Sequence, residues 1–138
     1  MSDRRRDDEH DIERVLVRYA TGIDRRDWEL FRTCFTDDVR ADYEGLDPWR
    51  SADEITGFMA TSHADMGHTM HRLSNMAIEV DGDSATARTY VDAVLMAPDG
   101  QTGLNPRGFY DDELVRTPEG WRIAHRRFTS VHFGVIGA

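Results

Sequence analysis

Histidine takes and returns a proton at neutral pH more readily than any other side chain, because its ordinary pKa lies near ~6.5. The chain has six. Three of them, His63, His68 and His71, cluster at spacings of five and three. Those spacings span a helix end and a strand start, and neither a His-Glu-x-x-His pattern nor a cysteine pair accompanies them, so no metal is expected there. His10, His125 and His132 carry no separate signal. Tyr19 lies on an apolar stripe. It reads equally as a core aromatic and as a phenol aimed into a cavity, where it would donate a hydrogen bond. Asp24 follows five residues later, about 140° round an ideal helix and roughly 7.5 Å along it, so the two share a pocket only if the helix ends near Gly22. Asp24 also reads as a cap of the next helix, although Asp27 is better placed for that.

Several chemistries are excluded by residue type. All 17 positive charges are arginine, and without lysine there is no Schiff-base route through a side-chain amine. One cysteine, Cys34, makes no internal disulfide and no cysteine-rich metal site, so nothing points to an oxidising compartment. A formal net charge of -9 repels nucleic acid and anionic lipid, whose partners carry basic patches. Glycine-rich phosphate loops and nucleophile elbows are missing from the sequence. No apolar leader or run of membrane-spanning length occurs, so the expected location is the cytoplasm.

These groups need elements to position them. With 138 residues, 39% hydrophobic, the chain builds one core and has no room for a second. Arg4-Arg5-Arg6 is answered at once by Asp7, Asp8 and Glu9, which reads as a solvated, disordered tail over residues 1–7 before a single domain over 8–138. Ile12, Val15, Leu16, Tyr19 and Ile23 recur at three and four, an amphipathic helix over 8–23 with Gly22 as its stop. A second helix is expected over 27–35, capped by Asp27, and a short strand over 39–44. The Ser51-Ala52-Asp53-Glu54 capping box then opens a third helix to about residue 62. From His68 the chain reads as strands: 68–80, a turn at Asp81-Gly82-Asp83, 84–97, a loop over 98–106, then 107–116 and 121–133 around Pro118-Glu119-Gly120. Helices first and strands after argue for α+β, with helices on one face of a bent, mainly antiparallel sheet. Phe31, Met59, Met70, Met96 and Phe109 are candidates for the wall of the cavity such a sheet encloses.

Several segments in this order resemble the SnoaL-like members of the NTF2-like superfamily, near the scytalone and bile-acid 7α-dehydratases. They are Tyr19-x4-Asp24 followed by Arg25-Arg26-Asp27-Trp28, His71-x3-Asn75, Val80-Asp81-Gly82-Asp83-Ser84-Ala85, Gly108-Phe109-Tyr110-Asp111-Asp112 and Gly120-Trp121-Arg122-Ile123-Ala124-His125-Arg126. The likeness runs from about residue 8 to residue 130. It implies an NTF2-like cone, with three N-terminal helices packed in the concave face of a strongly bent sheet. It also implies a cofactor-independent lyase or isomerase, most concretely a dehydratase of a small apolar cyclic substrate of polyketide, steroid or terpene type.

In that frame His71 is the base, Asp24 accepts a hydrogen bond from it and fixes its tautomer, and Tyr19 donates to the substrate. Asp92 and Arg126 match an Asp and an Arg of the bile-acid enzyme. Arg126 and Arg127 sit on opposite faces of the last strand, so only one of them points inward. An outward Arg126 paired with an acid is the alternative. Ala20 follows Tyr19 where scytalone dehydratase has Asp, and Tyr90 and Asp92 stand where it has a second histidine. The superfamily also holds non-catalytic ligand-binding proteins and association domains, so those readings stay open. The resemblance implies a homodimer or homotrimer.

Overall fold

The computed structural model describes residues 2–137. Helix α1 (Ser2–Asp24) is followed by α2 (Trp28–Arg32), β1 (Phe35–Tyr43), α3 (Ala52–His63), and then β2 (Thr69–Asp81), β3 (Ser84–Met96), β4 (Gly103–Thr117) and β5 (Gly120–Ile136). The order across the sheet is β1-β5-β4-β3-β2. β1 pairs parallel to β5, and the other three pairings are antiparallel. The sheet is curved and unclosed, and the α+β class expected from element order is the class observed.

Helix α1 is longer than expected at both ends. Residues 2–7, read as a disordered tail, are helical, with Arg6 on Asp3 and Arg5 on Glu9 at helical spacing; Met1 lies outside the described residues. Asp8 then anchors the helix to the sheet. It accepts both guanidinium nitrogens of Arg116 at 2.9 and 2.8 Å and the Trp121 indole N–H at 3.2 Å. Gly22 is not a stop. A Cβ there would stand 2.9 Å from the Phe31 backbone, so its role is to let α2 cross close to α1. The stop comes at Arg26, which takes a left-handed conformation (φ 59°) and donates back to the Ile23 carbonyl.

The two expected caps are present: Asp27 accepts from Leu30 N–H and Ser51 from Glu54 N–H. Helix α2 stops at Arg32 rather than Phe35 because the Thr33 hydroxyl bonds the Leu30 carbonyl, and Phe35 joins β1 opposite Ile123. β4 starts at Gly103, four residues earlier than the loop composition indicates. Strand β2 carries a register shift between Ser74 and Ala77, with Asn75 left-handed at φ 51°; Asn tolerates that conformation, and a bulge bends the strand. The core lies between the concave sheet face and the helices. It is built from Ile12, Leu16, Tyr19 and Ile23 of α1, Phe31 and Phe35, and Leu114 and Ile123 of the sheet, all at most 1% exposed.

Candidate active site

Asp24, the last residue of α1, faces the first turns of β2. Its Oδ1 accepts the His71 ring Nδ1–H at 2.7 Å and the Thr69 hydroxyl at 2.9 Å, while Oδ2 accepts the His71 backbone N–H at 2.8 Å. Thr69 in turn accepts from Arg26, whose second terminal nitrogen bonds the Gly67 carbonyl, each at 2.7 Å. Arg26 thus ties the strained turn after α1 to the start of β2, so the carboxylate and the imidazole are held by main chain on both sides. Burial works to raise the Asp24 pKa, but the bonds from His71 and Thr69 outweigh it and hold the carboxyl below its ordinary value. An ionised Asp24 makes Nδ1 the protonated ring nitrogen of neutral His71. Nε2 then carries the lone pair of a base.

His71 and Tyr19 both border a cavity of about 410 Å³ whose wall is mostly carbon, including Ile23, Phe58, Met59, Leu95 and Phe128. The Tyr19 ring meets the His71 ring edge-on, with centroids 6.3 Å apart. This resolves the spacing problem between Tyr19 and Asp24. The helix does not end at Gly22, and Asp24 stands behind His71, on an adjoining, more polar groove that shares His63 and Met66 with the cavity wall, so of the pair only the imidazole reaches the cavity. Tyr19 is 1% exposed and its hydroxyl lies 2.8 Å from that of Tyr43. Burial drives the Tyr19 pKa well up, so its phenol stays protonated. The bond between Tyr19 and Tyr43 uses one of their two O–H groups, and the Tyr110 phenol neighbours both, so the three hydroxyls form a donor cluster at the cavity wall.

Arg126, rather than Arg127, points inward. It is fully buried, and its guanidinium makes two parallel bonds to Asp112 at 2.7 and 2.9 Å, lying over the rings of Tyr110 (3.9 Å) and Tyr19 (4.3 Å). One nitrogen reaches the Tyr43 hydroxyl at 3.5 Å. Arg126 therefore stands behind the tyrosine pair and does not border the cavity. Burial pushes Asp112 up against the pull of Arg126; the paired short bonds favour the ion pair, with the guanidinium held more firmly protonated than usual.

Asp92 does not belong to this site. Val91, Ala93 and Leu95 face the cavity, and strand alternation turns Asp92 to the outer face, 41% exposed, where it pairs with Arg72, Arg107 and Asn105. Among the candidate wall residues only Met59 borders the cavity. Phe31 is in the core behind Tyr19, Met70 is exposed, Phe109 stacks on Tyr90 and Arg88 outside, and Met96 borders the polar groove.

The sequence assigns no site role to Tyr43, Thr69, Arg26 or Asp112, although Arg26 and Asp112 lie in the family-like segments. Alternation held a signal for two of them. Tyr43 continues the buried face of Val39 and Ala41, and Asp112 sits between buried Tyr110 and Leu114. Among the described residues no three His, Cys, Asp or Glu side chains converge as metal ligands; His63 and His71 are neighbours, with ring centroids 6.4 Å apart.

Comparison with known proteins places this geometry in a family. Residues 4–127 match the SnoaL-like domain. An uncharacterized protein of Mycobacterium tuberculosis is 33% identical over 121 residues, covering 86% of this chain and 82% of the relative. Two solved structures share the fold. One, from Novosphingobium aromaticivorans and assigned as a scytalone dehydratase, has a TM-score of 0.89 at 21% identity and covers 97% and 91% of the two chains. The other, a type 2 hexachlorocyclohexane dehydrochlorinase, has a TM-score of 0.85 at 18% identity, covering 97% and 92%. At those identities the two structures speak for the fold alone. The chain belongs to the SnoaL-like family, with the NTF2-like fold that its segments resemble.

Proposed function

We propose that this protein is a cofactor-independent general acid/base enzyme that eliminates or moves a small group on an apolar cyclic substrate, most concretely a dehydratase. The observation that carries this reading is the Asp24–His71 pair at 2.7 Å beside an apolar cavity. His71 Nε2 takes a proton from a carbon next to a carbonyl, and the C–H electron pair moves to the carbonyl oxygen as an enolate. Asp24 compensates the imidazolium that forms. An O–H of the Tyr19–Tyr43–Tyr110 cluster donates to the enolate oxygen, and the charge of Arg126 behind it favours that donation. The enolate then re-forms the carbonyl and expels the neighbouring hydroxyl. That group takes the proton back from His71 and leaves as water, with a carbon-carbon double bond left behind. Return of the proton to a different carbon would make the same site an isomerase.

Elimination is also the chemistry named for the dehydrochlorinase and the scytalone dehydratase-type protein of the same fold. A panel of cyclic β-hydroxy ketones incubated in deuterium oxide and followed by mass spectrometry tests the proposal. Loss of water by the wild type and not by His71→Ala supports a dehydratase, and deuterium uptake at carbon without loss of water supports an isomerase. Ligands recovered unchanged, with no deuterium at carbon, would refute acid/base catalysis and leave a binding protein.

A further inference from the structure

His63, at the end of α3, is 5% exposed and stands between the apolar cavity and the adjoining groove, bordering both. Its Nδ1 lies 2.8 Å from the Met59 carbonyl. A carbonyl oxygen only accepts, so Nδ1 carries the hydrogen and, in the neutral ring, Nε2 is left with a bare lone pair. Nothing bonds that lone pair: Nε2 is closed to solvent and without a hydrogen-bond partner. The ring is held in place by Trp28 (centroids 5.9 Å apart) and by the helix bond to Met59. Burial first, with the charge of Arg26 adding to it, lowers its pKa against the pull of the Met59 carbonyl and of Asp24, so protonation does not satisfy the nitrogen at neutral pH. An unpartnered acceptor inside a protein is costly and uncommon. Here it sits beside the base, in a wall made mostly of carbon.

We propose that His63 Nε2 is the acceptor for a second hydroxyl on the substrate, distinct from the one expelled, so that the site selects ring compounds carrying that additional donor. The inference rests on the cavity being the substrate site. With the His63 and His71 rings 6.4 Å apart, the recognised hydroxyl and the carbon that loses its proton are separated by about one ring of the same molecule. Met59 and Met66, flexible side chains next to His63 that border the same cavity, have the freedom to shift and admit the hydroxyl. His63 is then a specificity residue that rewards a donor and leaves proton transfer to His71.

Naphthol and its methyl ether form a matched pair of probes, since they share a ring system and differ in the donor hydrogen. Calorimetric titration and nitrogen NMR of histidine-labelled protein read affinity and the bonded nitrogen separately. Wild type is expected to bind naphthol about tenfold more tightly than the ether, with the His63 Nε2 resonance moving for naphthol alone. His63→Phe removes the acceptor while keeping a flat ring, and is expected to equalise the two affinities. A preference that survives in His63→Phe, or a naphthol shift confined to His71, overturns the inference while leaving the acid/base proposal intact. Binding of neither probe overturns the cavity reading on which both depend.

Discussion

The Arg126–Asp112 pair sets a demanding test of the fold. Both side chains are 0% exposed and joined by bonds of 2.7 and 2.9 Å. Asp112→Ala would leave a guanidinium buried between two tyrosine rings, with the Tyr43 hydroxyl at 3.5 Å as its remaining polar neighbour. Breaking such a pair from one side costs about 3–5 kcal/mol, because the stranded charge keeps its desolvation penalty and loses its partner. Set against a typical total of ~5–15 kcal/mol, that is a large share of the stability. Replacing both partners by apolar residues of similar volume, Arg126→Met with Asp112→Leu, removes the charges together. The double variant is therefore expected to be more stable than Asp112→Ala alone. Urea unfolding followed by far-ultraviolet circular dichroism, with the slope checked for constancy, measures both. A cost below about 1 kcal/mol for Asp112→Ala would refute the buried-charge argument. So would a double variant less stable than Asp112→Ala.

Three further outcomes follow from the same geometry. Gly22→Ala forces a methyl to within 2.9 Å of the Phe31 backbone and should cost about 1–3 kcal/mol in thermal unfolding; an unchanged midpoint would contradict the close helix crossing. Burial pushes the Cys34 thiol up to about 12, so a thiol reagent at mildly alkaline pH should label it only as fast as the chain unfolds, and immediate labelling of the native protein would count against it. The Asp24 carboxyl is held below its ordinary value of 3.8. The stabilisation it provides is therefore present above that value and lost as pH falls through the lower folded value. The stability gap between wild type and Asp24→Asn should narrow as pH falls below 3.8, and a gap that stays constant or widens there would show that Asp24 is not held ionised in the fold.

How much of this was legible beforehand follows from the range of each interaction. Helix starts at Asp27 and Ser51 and the turn at Gly82 are local, and their residue chemistry located them. The extent of α1 was not local: residues 2–7 continue a helix whose register is pinned by Asp8 to Arg116, 108 positions away. The Gly22 role likewise depends on where α2 crosses. In the site, residue type and family order point to Tyr19, Asp24 and His71; helix geometry makes a pocket shared by Tyr19 and Asp24 conditional on a helix ending near Gly22, which the longer α1 does not meet, and the link between them is instead His71 on β2. Alternation separated Arg126 from Arg127 into opposite faces and left the choice between them to tertiary packing. Resemblance alone points to Asp92, whereas Val91 and Ala93 on either side mark the cavity face and assign it to the other. Tyr43 and Asp112 are legible by the same period-two rule.

The central claim is that Asp24 and His71 form a working base in an apolar cavity, and it can be tested without knowing the natural substrate. Nitrobenzisoxazole loses a carbon-bound proton as its nitrogen-oxygen bond breaks to a nitrile and a phenolate, so its turnover reports a positioned base beside a donor for oxygen. The wild type is expected to catalyse this elimination with saturation. His71→Ala should fall by at least about a hundredfold, Asp24→Asn should lose much of the rate, and Asp92→Asn, changed on the outer face, should keep it. No catalysis above free imidazole in the wild type, or full activity in His71→Ala, would contradict the account.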